Sequence, residues 1–386
     1  MAREGATAGA GERLGRVLTA YRELLDRPDA TEDDSFVALG GDSLSYVEVS
    51  IHLERILGDL PDGWHLMPVR DLAGTQPRPS RVPGWQRVET GIVLRALAIL
   101  FIVTTHVGLA GLQGGAHALF ALAGYNMARF QLGDEPRWER LRGLGASLLR
   151  VVVPAVVWIG GVAVATGQYD WSTVGLLNQV LGEHTRWTDQ WSFWFIESVV
   201  YILVGLGVAL SIPAIDRFQR RWPWYFAMAV AGLGLLGRYA ILLPHPGRLR
   251  SLTAYAIVWI FALGWAAAVS QTRWQRLVVS AVAVVAVQGF WPTQPTRELI
   301  LTAGILLLVW VPSIRIPRLV ARVSAVLASA SLYIYLTHWQ VYPALRAIDP
   351  WLAVAGSIAV GLLYWQLVTW AWPRLSAYRA PRSAGV

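Results

Sequence analysis

The spacing of apolar positions changes character at about residue 88. Before that point they recur every three or four residues. Leu14, Val17, Leu18, Tyr21, Leu24 and Leu25 form one stripe, which predicts an amphipathic helix that Pro28 stops. A loop then runs to Asp42, a second helix carries Leu44, Val47 and Ile51 on one face, and a short helix lies near Val69–Leu72. Residues 12–75 therefore read as a small soluble helical bundle. Residues 76–87 are Pro-rich and predict a stiff linker that holds this bundle near the rest of the chain without fixing it. From residue 88 the amphipathic pattern gives way to ten continuous apolar segments. They lie at about 92–112, 113–131, 146–167, 193–211, 223–243, 251–270, 275–291, 298–312, 322–343 and 350–372. Each is near the ~20 residues that cross a hydrocarbon core, the seventh and eighth being short. The expected fold is all-α: a small helical bundle, then a polytopic membrane domain of about ten transmembrane helices over residues 88–375.

Composition sharpens this picture. Of 386 residues 55% are hydrophobic and 15% charged, against about 25% charged in soluble chains. There is no cysteine, so disulfides, zinc-thiolate sites and Cys nucleophiles are excluded. All 33 basic residues are Arg, which excludes lysine Schiff-base chemistry. The net charge of +8 does not mark a nucleic-acid partner, because the arginines lie between apolar segments instead of on one soluble face. Alternate loops hold 16 and 5 arginines. With the richer set inside, both termini face the cytoplasm and the 168–190 loop lies outside. The first residues carry no apolar h-region, so no cleavable signal peptide is expected and the N-terminal bundle stays cytoplasmic. The expected location is the cell (inner or plasma) membrane, multi-pass.

Two motifs carry chemistry. In the first, Ser43 follows Gly40-Gly41-Asp42 at the start of a helix. Glycines let that loop turn tightly. The stretch Phe36-Val-Ala-Leu-Gly-Gly-Asp-Ser-Leu resembles the peptidyl or aryl carrier domains of nonribosomal peptide synthesis, over about residues 12–75. The resemblance implies a 4'-phosphopantetheine arm on Ser43 beside Asp42, a phosphopantetheinyl transferase to install it, and a separate adenylating or loading enzyme. A helix N-terminus favours the arm's phosphodiester.

In the second motif, Arg95 and His106 lie eleven residues apart on the first apolar segment. That spacing is about three turns, so both share one face, ~16 Å apart along the axis. Ionisable groups within a bilayer are costly and usually functional. The segment resembles the first helix of the acyltransferase-3 family of membrane acyltransferases. Gly114 to Gly124, Arg150-Val-Val-Val-Pro154, Trp194-Phe-Ile-Glu197-Ser-Val-Val-Tyr201 and Ser329 to His338 resemble its later helices, with Arg150-to-Pro154 as the entry to the third. The resemblance spans about residues 88–375. It implies His106 as general base, Arg95 steadying a phosphate or oxyanion, and Glu197 orienting the histidine or binding the acceptor. It places Arg150 at the donor, and His117, Tyr201, Tyr333 and His338 around the pocket. The family's Arg-x-x-Arg pair is absent at Arg150, whose partner position is Ser147; Arg137 and Arg140 have the spacing but lie further from Pro154. No metal is implied. The expected function is a membrane acyltransferase. It moves an acyl or aminoacyl group from its own carrier to a hydroxyl or amine of a lipid, glycan or natural-product acceptor, with acyl-coenzyme A as an alternative donor. The rival is a membrane-anchored carrier whose membrane domain docks or exports a product without acyl transfer.

Overall fold

The computed structural model describes residues 2–41, 45–58, 60–61, 63–75, 84–133, 135–239, 241 and 248–379. Three helices, α1 (Ala2–Leu24), α2 (Ser45–Leu57) and α3 (Val69–Gly74), build the first unit. Their apolar stripes meet over Phe36, which is fully buried against Tyr21, Tyr46 and Trp64. Gly41 admits no side chain, because a Cβ there would enter the Phe36 ring. Gly40 turns with φ +77°, an angle glycine adopts without steric cost.

The second unit runs α4 (Thr90–Val107), α5 (Gly115–Phe130), α6 (Arg137–Thr166), the short α7 (Trp171–Val174) and α8 (Asn178–Leu181), and α9 (Trp194–Ser211). It continues with α10 (Pro213–Arg221), α11 (Pro223–Arg238), α12 (Ala254–Ala268), α13 (Arg273–Val287), α14 (Pro295–Trp310), α15 (Arg318–Arg346) and α16 (Pro350–Arg379). Apart from α7, α8 and α10, these helices fall on the ten apolar segments. Among the described residues five are long and apolar enough to cross a membrane: α4, α6, α9 with the turn before it, α15 and α16. The other five have 15 or 16 residues, at most ~24 Å of helix. α12 is apolar on every side and central, with Trp259, Phe261, Leu263 and Trp265 fully buried. α6 and α16 are peripheral and expose Val157, Val164, Leu363 and Trp370, as lipid-facing helices do.

Three expectations are corrected. First, the end of the 76–87 linker is a strand. β1 (Trp85–Glu89) pairs antiparallel with β2 (Ser313–Pro317), Arg87 opposite Arg315; residues 76–83 lie outside the described ones. The ladder ties the start of α4 to the start of α15, and the two helices then pack along each other. Second, the first unit is fixed to the second. Phe130 at the end of α5 packs on Phe36, Tyr46 and His65, while Ala321, Ala325 and Ala328 of α15 close the same core. Aromatic area buried this way favours the docked arrangement over a loose tether. Third, α6 is one helix of 30 residues with Pro154 inside it, so Arg150 lies well within it and not at its entry. Proline removes one backbone donor there, and the Tyr364 hydroxyl donates to the Pro154 carbonyl at 2.8 Å.

Candidate active site

The last turn of α4 carries His106, and Gly108 in a left-handed conformation (φ 88°) ends the helix just beyond it. The neighbouring α15 brings His338 to the same height. His106 Nδ1 lies 2.9 Å from His338 Nε2, with the two rings nearly parallel at 17°. His338 is fully buried, and its Nδ1 lies 2.7 Å from the Tyr335 carbonyl. His106 is half-buried. Trp339 at 4.4 Å and Tyr342 at 6.2 Å between ring centroids flank it. An imidazole accessible on one side and bonded on the other can exchange a proton with a bound molecule.

A cavity of about 130 Å³ lies inside the bundle and is lined by Arg95, Leu119, Gln131, Ser147, Phe195 and Tyr335. It follows α5 from Gln131 to Leu119, twelve residues or ~18 Å, so it is narrow. Tyr335 in its wall is one turn from His338. Arg95 is 8% exposed, and Gln131 Oε1 is buried without a hydrogen-bond partner among the described residues. A second cavity, about 680 Å³, lies in the seam between the two units. Gly40 and Ser45 line it from the first unit, Arg142 and Arg150 from α6, Tyr333 from α15 and Trp365 from α16. Adjacent residues of α6 face the two spaces, Ala146 and Arg150 outward, Ser147 and Val151 inward. Ser329 and Ser331 divide in the same way on α15. Asp42 and Ser43 lie outside the described residues.

The remaining candidates take other places. Glu197 is 3% exposed, and its Oε1 accepts the Gln179 backbone N–H at 2.7 Å and the Tyr201 hydroxyl at 2.9 Å. The Tyr201 hydroxyl oxygen is also 2.9 Å from the Leu176 carbonyl, so its one hydrogen is shared between the two acceptors. Both residues thus tie down Leu176 and the first turn of α8, while His106 is bonded to His338. His117 gives its Nε2–H to the Ser251 carbonyl at 3.1 Å and packs on Trp194 and Trp291. Tyr333 stands edge-on to Tyr364. Arg140, of the Arg137/Arg140 spacing, is buried and bonded to Asp216 at 3.1 Å and to Gln219, so it anchors α10. Among the described residues no group of three His, Asp or Glu side chains is placed to hold a metal ion.

Sequence reading missed the residues that join the units. Arg129 Nη1 and Nη2 reach both Glu89 oxygens, at 2.8 and 3.1 Å, and Tyr46 donates its hydroxyl to the same carboxylate. Burial opposes ionisation of Glu89, but the Arg129 charge and the hydrogen bonds from Arg129 and Tyr46 outweigh it and hold the carboxyl below the usual range. His65 Nδ1 lies 3.4 Å from Arg129 Nη2. Burial, reinforced by the Arg129 charge, pushes His65 down to about 4. The only sequence signal for this cluster was an acidic residue next to the first apolar segment.

Two family models match the chain. An acyltransferase-3 model, described as an acyltransferase domain, covers residues 92–373, and a model described as a phosphopantetheine attachment site covers residues 15–63. No curated protein and no solved structure matches it.

Proposed function

We propose, for a chain that belongs to the acyltransferase-3 family and bears a phosphopantetheine attachment domain in cis, that the acyl donor is a thioester on its own carrier. The acceptor is a hydroxyl or amine of a lipid, glycan or natural-product intermediate. In this reading the carrier faces the cytoplasm, Ser43 holds the arm, and transfer takes place at His106.

The observation that carries the reading is the seam cavity. The residues on either side of the attachment position, Gly40 and Ser45, line a space whose other walls belong to the acyltransferase domain. Its lining is mixed, with Arg27, Arg142 and Arg150 beside Glu23, Asp26, Glu48 and Glu139, and the two α6 guanidinium groups are its contacts for the phosphodiester of an arm. The helices α6 and α15, which pack on each other, line both this space and the narrow inner cavity. There Gln131 offers a buried acceptor atom suited to an amide N–H. The arm would supply a thioester, an electrophilic carbonyl with a thiolate leaving group. His106 removes the acceptor's hydroxyl proton, Arg95 adds positive charge to the inner cavity, and Glu197 and Tyr201 hold the start of α8. Tethering raises the donor's effective concentration to about millimolar.

A phosphopantetheinyl transferase with labelled acetyl-coenzyme A installs an acetylated arm directly. Its single-turnover loss is then followed in nanodiscs, in lysate of producing cells from which the gene is deleted. The expected result is loading confined to Ser43, loss of label in the wild type, and retention in His106→Ala. Gly143→Trp, which puts an indole into the seam cavity and narrows it, should load normally and slow transfer at least tenfold. Wild-type decay in His106→Ala would turn the assignment to the silent-carrier alternative. Undiminished decay in Gly143→Trp would remove the seam route.

A further inference from the structure

We propose that His338 is a positioning residue that fixes the tautomer of His106. The inference rests on His106 being the base. The argument is one of donors and acceptors. The Tyr335 carbonyl can only accept, so His338 Nδ1, 2.7 Å away, carries the hydrogen. A neutral imidazole has one N–H, so His338 Nε2 is a lone pair. His106 Nδ1, 2.9 Å from that lone pair, must then donate. The lone pair of His106 is left on Nε2, the nitrogen not bonded to His338. The three groups act as a relay of orientation, in which the carbonyl sets His338 and His338 sets His106.

The anchor of the relay is rigid. His338 is fully buried, and Tyr335 is held by its hydroxyl, which donates to the Ser192 carbonyl at 2.9 Å. Tyr335, Trp339 and Tyr342 pack around the His338 ring. During transfer the acceptor's proton moves to His106 Nε2 as the new bond to the acyl carbon forms and the carbon–sulfur bond breaks. The imidazolium keeps its Nδ1–H on His338 Nε2. The same proton passes to the departing thiolate, which returns His106 to the starting tautomer. No proton resides on His338 Nε2 at any stage. Removing the acceptor at position 338 lets His106 adopt the other tautomer, with Nε2 protonated and unable to serve as base. In hydrolases of the Ser-His-Asp type a wrong tautomer costs about 10⁴-fold.

The test uses the same acetylated chain and lysate. His338→Gln retains a side-chain oxygen able to accept from His106 Nδ1, whereas His338→Leu is apolar and has no acceptor. The expected single-turnover rates are within about tenfold of wild type for His338→Gln and lower by about 10²- to 10⁴-fold for His338→Leu, both variants loading normally. Thermal unfolding is followed in parallel. If His338→Leu does not fold, His338→Gln decides alone: a rate within tenfold supports the relay, and a loss beyond 10²-fold overturns it. Wild-type decay in folded His338→Leu, or equal loss in both variants at unchanged stability, also overturns it. His106→Ala separates the two levels. If it is inactive while His338→Leu is not, only the relay fails; if it is active, the base assignment itself fails.

Discussion

One guanidinium joins the carrier to the membrane domain. Arg129 is bonded to both oxygens of Glu89, and its Cζ lies 5.1 to 5.4 Å from the ring centres of Phe130, Tyr46 and Tyr125. Bidentate geometry and aromatic stacking are properties of arginine that no other side chain reproduces. Arg129→Met should leave the Glu89 carboxylate without its countercharge and weaken docking by roughly 1–3 kcal/mol. Glu89→Gln, which keeps an oxygen for Tyr46, should cost less. Hydrogen exchange in α2 measures this, and equal protection in wild type and Arg129→Met would remove Arg129 from the account. Such residues show how far single positions are legible. His106 stood out because an imidazole in an apolar segment demands a reason. Its partner His338 is 232 residues away, and the bond between them depends on how α4 and α15 pack. Arg129 read as one more arginine beside a span, since a sequence gives the charge and withholds its partner.

At the scale of elements, the ten apolar helices were legible because hydropathy reports burial in lipid or core directly. Their bounds were less so. α6 begins near residue 137 because its first turns are amphipathic and anchored by Arg140 on Asp216, which an apolar window does not register. The β1–β2 ladder pairs two five-residue strands more than 200 residues apart, and neither has a distinctive pattern alone. Helix crossings depend on such small features. α5 and α12 touch backbone to backbone at two reciprocal glycines: a Cβ on Gly124 would meet the Phe261 carbonyl, and one on Gly264 the Ala121 carbonyl. Small residues at a crossing allow this approach. Gly264→Val should force the helices apart and lower stability by roughly 1–3 kcal/mol or more. Gly205→Ala, where a Cβ meets nothing within 4 Å, serves as a near-neutral control. Thermal unfolding in detergent reads the difference, and similar midpoints for the two variants would count against the crossing.

The whole molecule couples a phosphopantetheine attachment domain to a membrane acyltransferase domain through one mixed core, and that core contains a titratable group. His65 is buried between Trp64, Tyr46 and Phe130, with Arg129 beside it and Glu89 beyond. Its Nδ1 accepts from Arg129, so a proton there would replace an attraction by the repulsion of two cations. The docked pKa of about 4 lies below the ordinary 6.5. The docked state therefore binds fewer protons than the undocked one between those values. Docking is fully favoured above pH 6.5 and weakens as pH falls toward 4. Glu89, held below its usual range, adds a loss of the same sign only as its carboxylate is protonated at lower pH. Linkage sets the His65 contribution on the order of 2 kcal/mol at pH 5, if undocking restores ordinary solvation. Hydrogen exchange in α2 and around Phe130 should rise between pH 7 and pH 5, after correction for the intrinsic rate. His65→Gln should flatten that rise while leaving the Glu89–Arg129 pair in place. A wild-type protein equally protected at both pH values, or a variant with the same slope, would show that His65 does not govern docking. Release on acidification would expose α2, whose packed face includes Tyr46, to solvent. A carrier docked near neutral pH keeps Gly40 and Ser45 on the wall of the seam cavity.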